Sequence, residues 1–145
     1  MKLDIDFIGR TSNNKYAGVI RILLGGLFVM TGIMKLVVPS LGLAFAGQLQ
    51  AANVPFHAFN LWFVPSLEIV VGALLLVGLM SRLGALLVIG LMAVATYVHL
   101  LVDDPTLFPL QPELPTIPIV VIVLSVYLLK TGGGSWSWDL KKSRI

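Results

Sequence analysis

Two ionisable side chains, Lys35 and Glu68, fall inside long apolar runs of the sequence. A charge at the middle of a membrane-buried helix costs about 2.5–3.5 kcal/mol on insertion scales, so each calls for a partner or a task. An ammonium group donates hydrogen bonds, while a carboxylate accepts them and can carry a proton. The chemistry open to such a pair is ligand binding or proton relay. Thr31 lies one helical turn before Lys35, Tyr97 and His99 close a third apolar run, and Asp103 follows at its rim. If the runs are antiparallel helices, these six residues share one depth band and form a candidate polar pocket. The competing reading is an ion pair that fixes the helices, with the Lys35 ammonium reaching towards the headgroups. Glu68, at a depth of roughly 10 Å, is too short to do the same.

The other chemistries find little support. The chain has no cysteine, which excludes disulfides, thiolate-held metals, iron–sulfur clusters and CxxC redox motifs within it. The two histidines are His57 and His99. A metal site built from His57, His99 and Asp103 is conceivable but not enforced by the sequence, and a bis-histidine haem is disfavoured, so no metal and no covalently bound cofactor is expected. No residue is assigned a catalytic role. Basic residues are not interleaved with aromatics, which argues against nucleic-acid binding.

The elements that must position these groups follow from composition. Of 145 residues, 57% are hydrophobic and 12% charged, against about 45–50% and 25% in soluble domains. A chain this short cannot bury that excess in a core, so lipid must be its solvent. Runs of about 20 apolar residues mark spanning helices. Four are expected, over 17–38, 61–80, 83–102 and 114–130, giving an all-α four-helix membrane bundle across 16–130. Pro112, Pro115 and Pro118 crowd the start of the fourth.

Charge placement orients the bundle. Nine of the ten Lys and Arg residues lie on one side, Lys35 being the exception, while 103–113 carries acids and no base. Cytoplasmic segments are enriched in Lys and Arg, so a cytoplasmic N-terminal segment (1–15) and a basic cytoplasmic tail (131–145) are expected, in a multi-pass inner-membrane protein. Residues 42–60 read as a short interfacial helix followed by a turn at Pro55, and 132–135 as a flexible glycine linker. Gly18, Gly25 and Gly32 recur every seven residues, a stripe that lets helices approach closely. Arg21 and Arg82 read as topology determinants in contact with lipid phosphates.

Several stretches together resemble the DoxX family of small bacterial and archaeal membrane proteins: Arg21-Ile-Leu-Leu-Gly25, Thr31-Gly-Ile-Met-Lys35, Pro65-Ser-Leu-Glu68, Gly78-Leu-Met-Ser-Arg-Leu83 and Val98-His-Leu100. The resemblance covers about residues 16–130. It implies a four-helix fold in a prokaryotic cytoplasmic membrane, and Lys35 and Glu68 match positions that recur in the family pattern. The family takes its name from a subunit associated with quinone-reducing thiosulfate oxidation. The resemblance thus implies an accessory, quinone-associated subunit of a membrane oxidoreductase assembly, with other membrane subunits or further copies of itself as partners. A pocketless assembly subunit and a small oligomeric transporter are the alternatives.

Overall fold

A computed structural model describes residues 8, 10–102 and 115–143. Asp103 and the acidic, proline-containing stretch that follows lie outside the described residues. Six helices have their bounds among the described residues: α1 (Lys15–Val37), α2 (Pro39–Ala51), α3 (His57–Val77), α4 (Ser81–Leu101), α5 (Thr116–Thr131) and α6 (Trp138–Lys142). All are α-helices, and no strand occurs among the described residues. Helices α1, α3 and α4 are long and apolar enough to cross a membrane. At 1.5 Å per residue their lengths are about 32–35 Å, against a hydrocarbon core of about 30 Å. Helix α5 is equally apolar but shorter, at 16 residues, and is the fourth member of the bundle. The outer surface is apolar: Leu23, Val37, Trp62, Leu86, Leu100 and Val123 are all exposed, as lipid-facing residues must be.

Local signals set the boundaries. The Asn14 side chain caps α1 by accepting from the amides of Tyr16 and Ala17, satisfying two of the four orphan donors of a helix start. Val38 is extended before Pro39, which ends α1 and opens α2. The interfacial segment is therefore helical from Pro39 to Ala51, and Pro55 sits in the turn after it. Helix α3 closes earlier than its apolar run suggests. Gly78 takes a left-handed conformation, φ 73°, and its amide and that of Leu79 bond back to Leu74, a Schellman-type stop. Pro118 lies in the first turn of α5, where its missing N–H costs little.

Packing organises the bundle into two pairs, α1 on α3 and α4 on α5, joined through α3 and α4. Its core is Leu24 and Phe28 of α1, Val71 and Leu75 of α3, Ala85 and Val88 of α4, and Val121 and Leu128 of α5. The α1–α3 contact is a glycine seam. A Cβ on Gly25 would stand 2.8 Å from the Gly72 carbonyl oxygen, and one on Gly72 would stand 2.7 Å from the Val29 nitrogen. Further along, a Cβ on Gly32 would meet the Pro65 carbonyl oxygen at 2.7 Å. Backbone lies against backbone here, so a side chain has no flexible neighbour to displace.

This seam gives a paired prediction. Gly25→Leu should destabilise the detergent-solubilised protein by at least the 1–3 kcal/mol typical of overpacking. Gly26→Leu, with open space around its Cβ position, should be tolerated. Thermal unfolding followed by size-exclusion chromatography distinguishes the two; equal behaviour would contradict the seam.

Candidate functional site

The core-facing stripe of α1 carries a cation towards each end. Ala17, Gly18, Arg21, Leu24, Gly25, Phe28 and Gly32 are its buried residues, and Lys35 continues the same spacing. On α3 the buried residues are Pro65, Glu68, Val71, Gly72 and Leu75, which centres Glu68 on the face turned to α1. Gly32 brings the two faces together: its missing Cβ would lie 3.2 Å from the Glu68 Cβ.

Lys35 Nζ meets Glu68 Oε1 at 2.6 Å. The carboxylate side chain is only 5% exposed and the lysine 22%. Oxygen Oε2 of Glu68 is buried and has no hydrogen-bond partner. The ammonium also lies 4.9 Å from the centroid of the Phe45 ring on α2, within cation–π range. Helix α2 therefore closes over the pair from the end of α1. One carboxylate oxygen is committed to the lysine, and the other is held in an apolar interface with its acceptor capacity unused.

The remaining members of the expected band are placed as follows. Thr31 turns its hydroxyl back to the Phe28 carbonyl oxygen of its own helix, at 3.3 Å. Tyr97 is 57% exposed and faces outward, so it does not line a pocket with the pair. His99 is half-buried near the end of α4. Asp103 lies outside the described residues. His57 contacts the Ala46 carbonyl oxygen at 3.0 Å, beside a shallow groove lined by Gln50, Asn53 and Val54 that contains neither Lys35 nor Glu68. No cluster of three or more metal-ligating side chains occurs among the described residues.

The other end of the bundle corrects two expectations. Arg21 does not contact lipid phosphate: it is 1% exposed. Its guanidinium donates to the carbonyls of Leu75 and Leu76, and through Nε to Gly133 at 2.8 Å. Leu75 and Leu76 are among the last carbonyls of α3; Leu75 also accepts from the Gly78 amide at 3.1 Å, and Arg21 caps this end of α3 with a favourably signed charge. The glycine stretch after α5 is not a flexible linker either. Residues 132–135 are all buried; Gly134 donates to Thr11 Oγ1 at 2.8 Å, and Ser135 to the Asn14 carbonyl at 3.0 Å. The glycines permit this tight passage, with φ of 80° at Gly132 and 68° at Gly134.

Beyond them Asp139, 6% exposed, accepts from the amides of Met80 and Ser81 and from the Ser81 hydroxyl, each at 2.9 Å. An anion thus caps the start of α4 two residues after the turn that Arg21 secures. The sequence carried a signal for each. Arg21 lies three residues after Gly18 and four before Gly25, on the glycine stripe and hence on the packing face. Ser137-Trp-Asp139 is a capping pattern, and Ser137 does cap α6 by accepting from Leu140 at 3.1 Å.

The family model for DoxX matches residues 17–100, more than half of the chain. No curated protein and no solved structure matches it.

The caps are testable without knowing the activity. Arg21→Met should cost at least about 2 kcal/mol, because it strands the Leu76 and Gly133 carbonyls at about 1–3 kcal/mol each, while Leu75 keeps the Gly78 amide. Asp139→Asn should cost about 1–3 kcal/mol by weakening charge-assisted bonds to α4. Unchanged unfolding midpoints in detergent would show that neither cap matters.

Proposed function

This chain belongs to the DoxX family of membrane proteins, and from that premise we propose that it is an accessory, quinone-associated subunit of a membrane oxidoreductase assembly. The observation that supports this reading is the buried Glu68 carboxylate, half committed to Lys35 and half without a partner. A quinone site needs an apolar cleft and one or two polar groups at the carbonyl oxygens. The residues present fit such a group. Lys35 has further N–H donors for a ring oxygen, Glu68 Oε2 can accept from a ring hydroxyl, and the Phe45 ring supplies an apolar wall. A quinone, when bound, supplies two-electron chemistry coupled to protons. The protein's own part is to hold the head group between Lys35 and Glu68 and to keep a proton on, or take it from, Glu68 Oε2. With no cysteine in the chain, any thiolate-held redox centre belongs to a partner subunit.

The same pair favours a second reading. Its 2.6 Å contact ties α1 to α3, as an assembly subunit without a ligand would require. A double variant separates the two. The Lys35→Met/Glu68→Leu double variant keeps the packing volume while removing the charges, and a clamp can be replaced by apolar contact with little loss. A binding site cannot.

We further propose a prokaryotic cytoplasmic membrane, as the family resemblance implies, with both termini cytoplasmic on the strength of the one-sided Lys and Arg distribution. Alkaline phosphatase fused after residue 143 should be inactive and a fluorescent protein there should be bright; the reverse result overturns this orientation.

For the quinone reading, titration of short-chain ubiquinone and menaquinone analogues into the purified full chain should show saturable binding. Glu68→Gln should weaken it about 10- to 100-fold, the range expected for loss of a charge-assisted bond. Absence of saturable binding, together with retention of the protein's membrane partners by the Lys35→Met/Glu68→Leu variant, would replace this reading with the assembly one.

A further inference from the structure

The Glu68 side chain is 5% exposed and its Oε2 has no hydrogen-bond partner. Any ligand or proton that uses this oxygen must therefore pass something that moves. The α1–α3 face is poorly suited to yield. A Cβ on Gly32 would stand 2.7 Å from the Pro65 carbonyl oxygen, and parting the helices there gives up the backbone contact that joins them. The element that covers the pair without spanning the membrane is α2. Its 13 residues make a rod of about 20 Å, against a hydrocarbon core of about 30 Å. It lies against α1, α3 and α4 and brings the Phe45 ring to 4.9 Å from the Lys35 ammonium. It carries no charged residue, and its buried residues are Leu41 and Leu49.

Both ends of α2 are built to bend. Val38 is extended, with φ −95° and ψ 107°, and Pro39 has no N–H with which to carry the hydrogen-bond ladder of α1 into α2. At the far end Asn53 and Phe56 have φ of 50° and 55°. Asparagine tolerates this left-handed conformation, whereas a bulky phenylalanine there is an outlier. The Phe56 ring is 82% exposed, so packing of the side chain does not hold the backbone in that state. Strain of this kind gathers at segments that switch. Here it belongs to the covered state, and movement of α2 releases it.

We propose that α2 is a hinged lid over Lys35 and Glu68, turning at Val38–Pro39 and at Asn53–Phe56, with Phe45 on the Lys35 ammonium as its latch. The proposal rests on the reading of this pair as a ligand site and supplies the way in. When the lid lifts, Phe45 leaves Lys35, and Glu68 Oε2 is opened to what enters. When it closes, the aromatic ring returns over the cation and the pair is again shut away from water.

The test uses the full chain in detergent and needs no quinone. The chain has no cysteine, so introduced pairs can be spin-labelled uniquely. Gly26 on α1, Gly47 on α2 and Gly90 on α4 each have open space where a Cβ would stand. Electron–electron resonance on Gly47→Cys/Gly90→Cys should give two distances, closed and open, while Gly26→Cys/Gly90→Cys gives one. Adding Phe45→Ala should raise the open population roughly fivefold, the scale of a lost cation–π contact. Adding Phe56→Gly should lower it roughly fivefold, because glycine adopts the left-handed conformation without strain. A hydrophobic carbodiimide that modifies Glu68, read by mass spectrometry and absent in Glu68→Gln, should track the open population across the three proteins. A single Gly47–Gly90 distance throughout overturns the proposal, as do shifts by the two variants in the same direction. Faster modification in Phe45→Ala without a second distance also overturns it, since that marks only a hole left by the missing ring. A lid that opens in a protein that binds no quinone keeps this proposal and removes the quinone reading. Saturable quinone binding with the Gly47 distance fixed does the reverse.

Discussion

A guanidinium buried inside a helical bundle governs how this protein is put together. Removing Arg21 from water and headgroups is expensive unless its donors are used, and the bundle supplies acceptors from two sources. One is the C-terminal end of α3, whose last carbonyls lack a following turn to supply their donors; Leu76 takes one from Arg21, and Leu75 accepts from both Arg21 and the Gly78 amide. The other is Gly133, in the chain that returns from α5. Two deficits, an orphaned helix end and a buried cation, thus cancel at one place. For this to occur α1 must approach α3 closely, which the glycine seam allows, and the segment after α5 must thread back under α1. Gly18 makes room for it: a Cβ there would stand 2.7 Å from the Ser135 carbonyl oxygen.

The turn between α3 and α4 is held from both sides in consequence. Arg21 places positive charge at the end of one helix, and Asp139 places negative charge at the start of the next, each matching the sign of the dipole it faces. The Asp139 amide also donates to the Gly78 carbonyl at 3.0 Å, so the same segment grips the turn through main chain and side chain. Met80, with φ of 50°, adopts a left-handed conformation uncommon for a non-glycine residue; the bond from its amide to Asp139 helps hold it there. The C-terminal segment is therefore a structural member of the bundle, although it lies beyond the stretch matched to the family.

The family was legible from short residue patterns such as Thr31-Gly-Ile-Met-Lys35; the all-helical membrane fold and the apolar runs were legible because lipid leaves few options. Backbone groups must be satisfied within each span, so composition and length nearly decide the elements. The facing of Lys35 towards Glu68 was legible only as a shared depth, since rotation about a helix axis is not written in hydropathy. That ambiguity also admitted Tyr97, which rotation turns to the outside. Arg21 and the glycine run 132–134 were misread for one common reason. A cation near a span end and a run of glycines each have a frequent surface role, lipid contact and flexibility, and a second role in close packing that depends on what lies opposite. The seven-residue glycine spacing passes through the Arg21 face and was the discriminating signal; the tail offered only the weaker capping pattern of Ser137 and Asp139.

The two ends of the α1 stripe differ in how completely their polar groups are used, and this difference bears on function. Around Arg21 and Asp139 the bonds are many, shared among four chain segments and made largely to backbone. Such an arrangement fixes geometry and resists exchange of partners. Around Lys35 the contacts are single: one ion pair, one aromatic face, and one carboxylate oxygen left over. A buried oxygen without a donor destabilises the state that contains it, and a rigid bundle is what permits it to persist. Proteins tolerate such local deficits where a ligand or a proton makes them good. The firmness of one end and the unfilled acceptor at the other are thus connected through α1 and α3, and this contrast is the structural support for the site proposed at Glu68.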